Sequence, residues 1–266
     1  MRKLPISVAW TDIAAAIIRY PLVGMLGWQD VRQRYRRSKL GPFWLTISMG
    51  IMVGAIGIVF GSIFITPMTE FLAFLAAGLI LWGFVSTVIN EGCMAFIAAE
   101  GIIKQLPLPL FVHVLRMIWR NVLILCHNIV IFPLALLAVG KWPSWTMVVS
   151  IPGFLLVLIN LAWVALLAAT LCARYRDLPQ IVTSVLQVLF YLTPVMWMPS
   201  LMPQRAGGLL LNLNPINHLL ELTRGPLLGQ IPSAINWSVS IGMAVIGWGV
   251  TLALYGRYRH RIAYWL

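Results

Sequence analysis

Glu70 and Glu91 bracket twenty consecutive residues without a charge, FLAFLAAGLILWGFVSTVIN (71–90). Wound as an α-helix, that run is about 30 Å long, the thickness of the hydrocarbon core of a bilayer. Five more runs of this kind surround it, at Trp44–Ile65, Met117–Val139, Thr146–Leu171, Ile181–Met198 and Ala234–Gly256. Arg120, near the start of the third run, is the only charged side chain in all six. Composition agrees. The 266 residues are 61% hydrophobic and 10% charged, with a mean hydropathy of +0.90. A water-soluble domain carries roughly 25% charge, so these residues could not cover a solvated surface. The expected fold is all-α, an integral membrane domain over 44–256 with a cytoplasmic segment before it (1–43) and a short tail after it (257–266). Gly, Ala and Ser inside the runs allow close helix packing, and Pro133 and Pro194 are expected kink points.

Orientation follows from the basic residues. Sixteen Lys and Arg fall on one side of the alternating runs: the N-terminal segment, Lys104, Arg116, Arg120, Arg174, Arg176 and the C-terminal tail. Three, Lys141, Arg205 and Arg224, fall on the other. Both termini are therefore expected in the cytoplasm. The net charge of +12 reports this asymmetry and gives no reason to expect a nucleic-acid partner. Residues 1–43 carry eight basic residues and no continuous apolar core, so a cleaved leader is not expected there.

Three stretches between the runs are distinctive. WQDVRQRYRRSKL (28–40) places Trp28, Val31 and Tyr35 on one stripe and its arginines elsewhere, as expected of a basic amphipathic helix lying in the interface. It reads either as an anchor for the first run or as a docking or headgroup-binding surface, ended by Gly41–Pro42. After the second run, Glu91, Glu100 and Lys104 return the chain to water, and 98–105 is long enough for two helical turns before Pro107 and Pro109. Such a helix suits a soluble partner, although a plain connecting loop has the same composition. Residues 199–233 are too apolar for a solvated loop. Pro203, Pro215, Pro226 and Pro232 nevertheless cut them into pieces too short to span, which suggests re-entrant helices in the outer leaflet.

Along the helix that enters the third run, His113, Arg116, Arg120 and His127 share one face. That stripe reads either as a substrate path or as interfacial arginines that snorkel beside a packing histidine. No phosphate-binding loop, HExxH, paired catalytic carboxylates or Cys/His ligand cluster occurs, and Cys93, Cys126 and Cys172 read as packing residues. No acid lies inside the six runs, which argues against an ion-coupled carrier.

Five ordered motifs between Trp28 and Gly229 carry a resemblance: RYRRSKLGPFW (34–44), GLILWGF (78–84), YRDLPQIV (175–182), LFYLTPVMW (189–197) and NPINHLLELTRGPLLG (214–229). The set resembles the membrane subunit of type-2 ABC polysaccharide exporters, closest to permeases for lipid-linked O-antigen, with capsule and teichoic-acid exporters as relatives. The resemblance implies a permease that is not itself an enzyme. It would work as a homodimer in the bacterial inner membrane with two copies of a separate ATPase that binds ATP and Mg, and would hold no cofactor of its own. The substrate implied is an undecaprenyl-diphosphate-linked glycan. Docking of the ATPase would fall to Asp30, Arg34, Glu100, Lys104, Arg176 and Asp177. The lipid headgroup would meet Arg36, Arg37, Ser38, Leu40 and Gly41, while Arg116, Arg120 and His127 are candidates for the pathway. The alternatives are an ABC permease for capsule, teichoic acid or a small lipid or drug, and a membrane-embedded transferase acting on lipid-linked sugars.

Overall fold

The computed structural model describes residues 5–36, 43–63, 67–201 and 211–266. The described residues are helical and loop, with no strand among them. In chain order the helices are α1 (Pro5–Ile18), α2 (Tyr20–Tyr35), α3 (Phe43–Ile63), α4 (Met68–Met94), α5 (Glu100–Gln105), α6 (Phe111–Asn128), α7 (Ile131–Ala138), α8 (Ser150–Arg174), α9 (Leu178–Leu192), α10 (Pro215–Leu227) and α11 (Ala234–Trp265). Five elements are long and apolar enough to cross a bilayer: α3, α4, α6 with α7, α8 with the 3-10 turn before it, and α11. The α1–α2 pair, bent by 69°, would make a sixth if it counts as one broken span. The protein is a multi-pass membrane protein.

Helix α4 is the central pillar, touched by α3, α6, α7, α8, α9 and α10. Its buried residues run almost unbroken from Phe71 to Val85, as expected of a helix that is apolar all round. Glycines set its closest approaches. A Cβ at Gly92 would lie 3.0 Å from the Cα of Ala165 on α8, and one at Gly78 3.0 Å from the carbonyl oxygen of Val195. Across the other face of α8, Asn160 donates to the carbonyl of Ser240 on α11 at 3.1 Å, and Trp248 donates to that of Ile159 at 3.2 Å. In a membrane, such side chain–backbone bonds and small-residue contacts hold helices together where lipid supplies no hydrophobic drive.

Prolines account for the departures from the expected runs. The third run is broken between α6 and α7 because Pro133 has no N–H to offer the carbonyl of Ile129. The fifth, expected at Ile181–Met198, is helical only over Leu178–Leu192, too short to cross a full-thickness core unaided. Pro194 disfavours helical geometry at the residue before it, and Thr193 is extended, with φ −89° and ψ 137°. The short helix expected at 98–105 begins two residues later, at Glu100.

At the N-terminus the helical stretch starts well before Trp28, and its inward face differs from the expected stripe. Val23, Gly27 and Val31 are buried, while Trp28 is 58% exposed. Gly27 decides this, because a Cβ there would stand 2.7 Å from the Trp119 ring, so α2 rests directly on α6.

Candidate functional site

Two clusters of charged groups lie at opposite ends of the bundle. At the end that carries the termini, Arg116 on α6 grips Asp30 on α2 with two hydrogen bonds, one of them 2.6 Å from Nε. Arg120, one turn further along α6, lies 3.6 Å from Asp30 and donates at 2.6 Å to Glu91 at the end of α4. Glu91 also accepts from Asn121 at 2.5 Å and from Arg34 at 3.2 Å. Three helices are thus clamped by alternating charges, an arrangement that survives partial burial only because each ion is paired. The network borders a small cavity of about 170 Å³ beside His113.

A third carboxylate nearby is more completely enclosed. Asp12 on α1 accepts from the backbone N–H groups of Leu110 and Phe111 at the start of α6, from the Tyr255 hydroxyl at 2.6 Å, and from Arg259 Nε and Nη2. Its side chain is fully buried. Sequence reading missed this staple. The available signal was a lone acid in an apolar helix, PISVAWTDIAAAII, which demands a partner.

The same end presents α5, which contains no buried residue. Lys104 donates to Glu100 at 2.6 Å, and this bond, together with the charges of Lys104 and Arg176, holds the Glu100 carboxyl below the ordinary carboxylate range. Arg176 reaches the backbone oxygen of Leu266 at 3.5 Å, and Asp177 occupies the N-cap position of α9 without a capping side-chain bond. Arg176 and Asp177 are exposed.

The structure therefore divides the sequence-derived candidates. Glu100, Lys104, Arg176 and Asp177 stand in the open. Asp30, only 11% exposed, is held by Arg116, and Arg34 shares Glu91 with Arg120. Of that stripe on α6, Arg116 and Arg120 are taken up by the network, and His127 Nδ1 lies 2.7 Å from the carbonyl of Leu123 on its own helix. Arg36 is exposed at the end of α2. Arg37, Ser38, Leu40 and Gly41 lie outside the described residues.

At the opposite end, α10 begins at Pro215 because the Asn214 side chain caps it, accepting from the N–H groups of Ile216 and Asn217. Arg224 on α10 is completely buried. It donates to Glu221 and to the carbonyl of Pro194, and its guanidinium lies 4.3 Å over the Phe74 ring. The non-helical backbone at 193–195 is thereby satisfied by a charged donor inside the protein, the condition under which membrane proteins tolerate broken helices.

The described residues thus form a helical multi-pass bundle with a short exposed helix at one end and a buried arginine–carboxylate clasp at the other. The sequence model of the ABC-2 type transporter family matches residues 21–228, and the chain belongs to that family. Among curated relatives, the O-antigen export system permease protein RfbA of Myxococcus xanthus is 29% identical over 199 residues, covering 72% of this chain and 74% of the relative. A protein of the same name from Klebsiella pneumoniae is 22% identical over 240 residues, covering 88% of this chain and 91% of its own length.

Proposed function

We propose that this chain is the permease subunit of an ATP-driven exporter that moves an O-antigen-like polysaccharide, carried on undecaprenyl diphosphate, outward across the bacterial inner membrane. The observation that carries this reading is the near end-to-end match to relatives named as O-antigen export permeases. In this reading two copies of the chain form the conduit. Two copies of a separate ATPase subunit, which binds ATP and Mg²⁺, dock beneath α5 and residues 175–177. The form of α5 and its C-cap supports that docking role, since Ile102 and Leu106 are 37% and 53% exposed. The positive-inside asymmetry puts this face and both termini in the cytoplasm. Helices α1–α2 then lie as an interfacial element, and α10 lies as a re-entrant gate on the outer side. Arg36, with Arg37 and the Ser38–Gly41 turn beyond the described residues, is the candidate for the diphosphate headgroup, which a guanidinium fork can hold through two oxygens.

Deletion of the gene should abolish polymer at the cell surface and leave lipid-linked polymer inside, both reversed by the intact chain. Surface polymer unchanged in the deletion strain would overturn the reading.

A further inference from the structure

Beside the Arg224 clasp lies a cavity of about 610 Å³, between the start of α4, the 140–145 loop, α10 and the start of α11. Its volume falls in the roughly 300–1,000 Å³ range of small-molecule sites. The cavity is built on fixed walls. His218 bridges the side chain of Asn236 at 2.7 Å and the backbone oxygen of Asn212 at 2.9 Å, and Asn214 donates to Thr193 at 2.8 Å.

Three observations define what it could hold. Asn217, 6% exposed, lines the cavity with a buried side-chain oxygen that has no partner among the described residues. A buried amide oxygen left unpaired is costly, so it calls for a donor beyond the described residues. Among the described lining residues the formal charge is balanced: Glu70 and Glu221 against Lys141 and Arg224. Arg224 is already committed to Glu221, Pro194 and Phe74, so among the described lining residues only Lys141 could serve an anion. Finally, Trp142 lines the cavity yet is 84% exposed, offering a flat apolar face at its mouth. Hydroxyl donors for Asn217 and the Glu221 carboxylate, no net charge among the described lining residues, and an apolar face for Trp142 together describe a neutral oligosaccharide.

We infer that this cavity binds a short neutral segment of the exported glycan at the end of the bundle opposite the termini; the inference rests on the polysaccharide-export reading above. Trp145, three residues on and 92% exposed, does not line the cavity and is its natural control.

The test uses the full-length chain in lipid nanodiscs, titrated with delipidated O-polysaccharide released by mild acid from the cells that carry the gene. Binding should saturate, fall about tenfold in Trp142→Ala and in Asn217→Leu, and stay unchanged in Trp145→Ala, and inorganic pyrophosphate should not compete. Equal binding by Trp142→Ala and Trp145→Ala, no binding by the wild type, or displacement by pyrophosphate would each overturn the inference. Binding is read in vitro and export in cells, so the two failures separate. If only this inference fails, the deletion strain still loses its surface polymer; if the export reading fails, it keeps it.

Discussion

Helices α3 and α4 are successive in the chain, packed on one another and equally apolar, yet 72% of the most apolar stretch of α4 is buried and only 11% of that of α3. On α3 the buried residues are Val53 and Gly57, a line one residue wide. Met49, Ile56 and Phe60 pack partly against the core, and Ile51, Ile58 and Val59 face outward. Hydropathy therefore reports that a helix belongs in lipid and says nothing of what it touches. Close approach is what separates the two. Gly78 and Gly92 of α4 sit against neighbouring backbone, whereas Gly50 and Gly54 of α3 have nothing within 4 Å of an added Cβ. The same division runs through the acids. Glu91 ends α4 inside a three-helix ion network, and Glu100 stands exposed on α5. One set of groups is used within the chain, and the other is left to lipid, a second copy or a soluble partner.

The sharpest way to break this contrast is to put a side chain where α4 has no room. Gly92→Leu would drive its branched carbons into the Cα and Cβ of Ala165, and backbone cannot yield as a flexible side chain can. The expected result is loss of the monodisperse peak in fluorescence-detected size-exclusion chromatography. A normal peak would mean that α4 and α8 are not packed as described.

Removing the charge at the end of α4 should cost less. Glu91→Ala strips a partner from Arg34, Arg120 and Asn121 and leaves Arg120 with Asp30 alone at 3.6 Å. Unpairing a partly buried ion should destabilise the protomer by on the order of 3 kcal/mol, readable as a lowered thermal midpoint in detergent. Glu91→Gln should retain part of the stability, because its carbonyl oxygen still accepts from one of the three donors. An unchanged midpoint in Glu91→Ala would show the network to be ornamental.

How much of this was legible beforehand follows the same line. The membrane class and most of the apolar runs could be read from single residues, because absence of charge over twenty positions is a local property. What lay beyond reach depended on pairing. Asp30 and Arg34 look like free charges in WQDVRQRYRRSKL, and only the approach of α2 to α6 through Gly27 shows that Arg116 and Glu91 already hold them. Asp12 is tied to a residue 247 positions away. Arg224 read as one of three basic residues on the outer side, and nothing local showed that Pro194 would present it with a carbonyl. Proline effects were readable in kind, yet the early end of α9 needed the constraint on Thr193 to outweigh an apolar pattern that runs on to Met198.

On α3 the expected effect leaves the protomer intact. Gly54→Leu meets open space and should leave the thermal midpoint unchanged. If the exposed face of α3 meets a second copy, Ile51→Cys in a Cys126→Ser background should form a covalent dimer with a short bismaleimide in native membranes. Adding Gly54→Leu should then reduce that band. No dimer at Ile51 would assign the face to lipid and place the contact between copies elsewhere.

The smallest structural effect is expected at Glu100, and there a functional readout must carry the test. Its carboxyl is held below the ordinary carboxylate range chiefly by the hydrogen bond from Lys104, with the positive charges of Lys104 and Arg176 beside it. A depressed pKa means that the pair is intact at and above the unfolded carboxylate range and is lost as pH falls below it. Because both side chains are more than 40% exposed, that loss should scarcely move the thermal midpoint. Glu100→Lys should likewise leave the midpoint and the chromatographic profile at their wild-type values, in contrast to Glu91→Ala nine positions earlier. Reversing this charge on α5, a short helix with no buried residue, should instead weaken co-purification of a tagged ATPase subunit and reduce polymer export. If Glu100→Lys assembles and exports at the wild-type level, α5 is a connecting turn. The partner must then grip the exposed loop that carries Tyr175, Arg176 and Asp177.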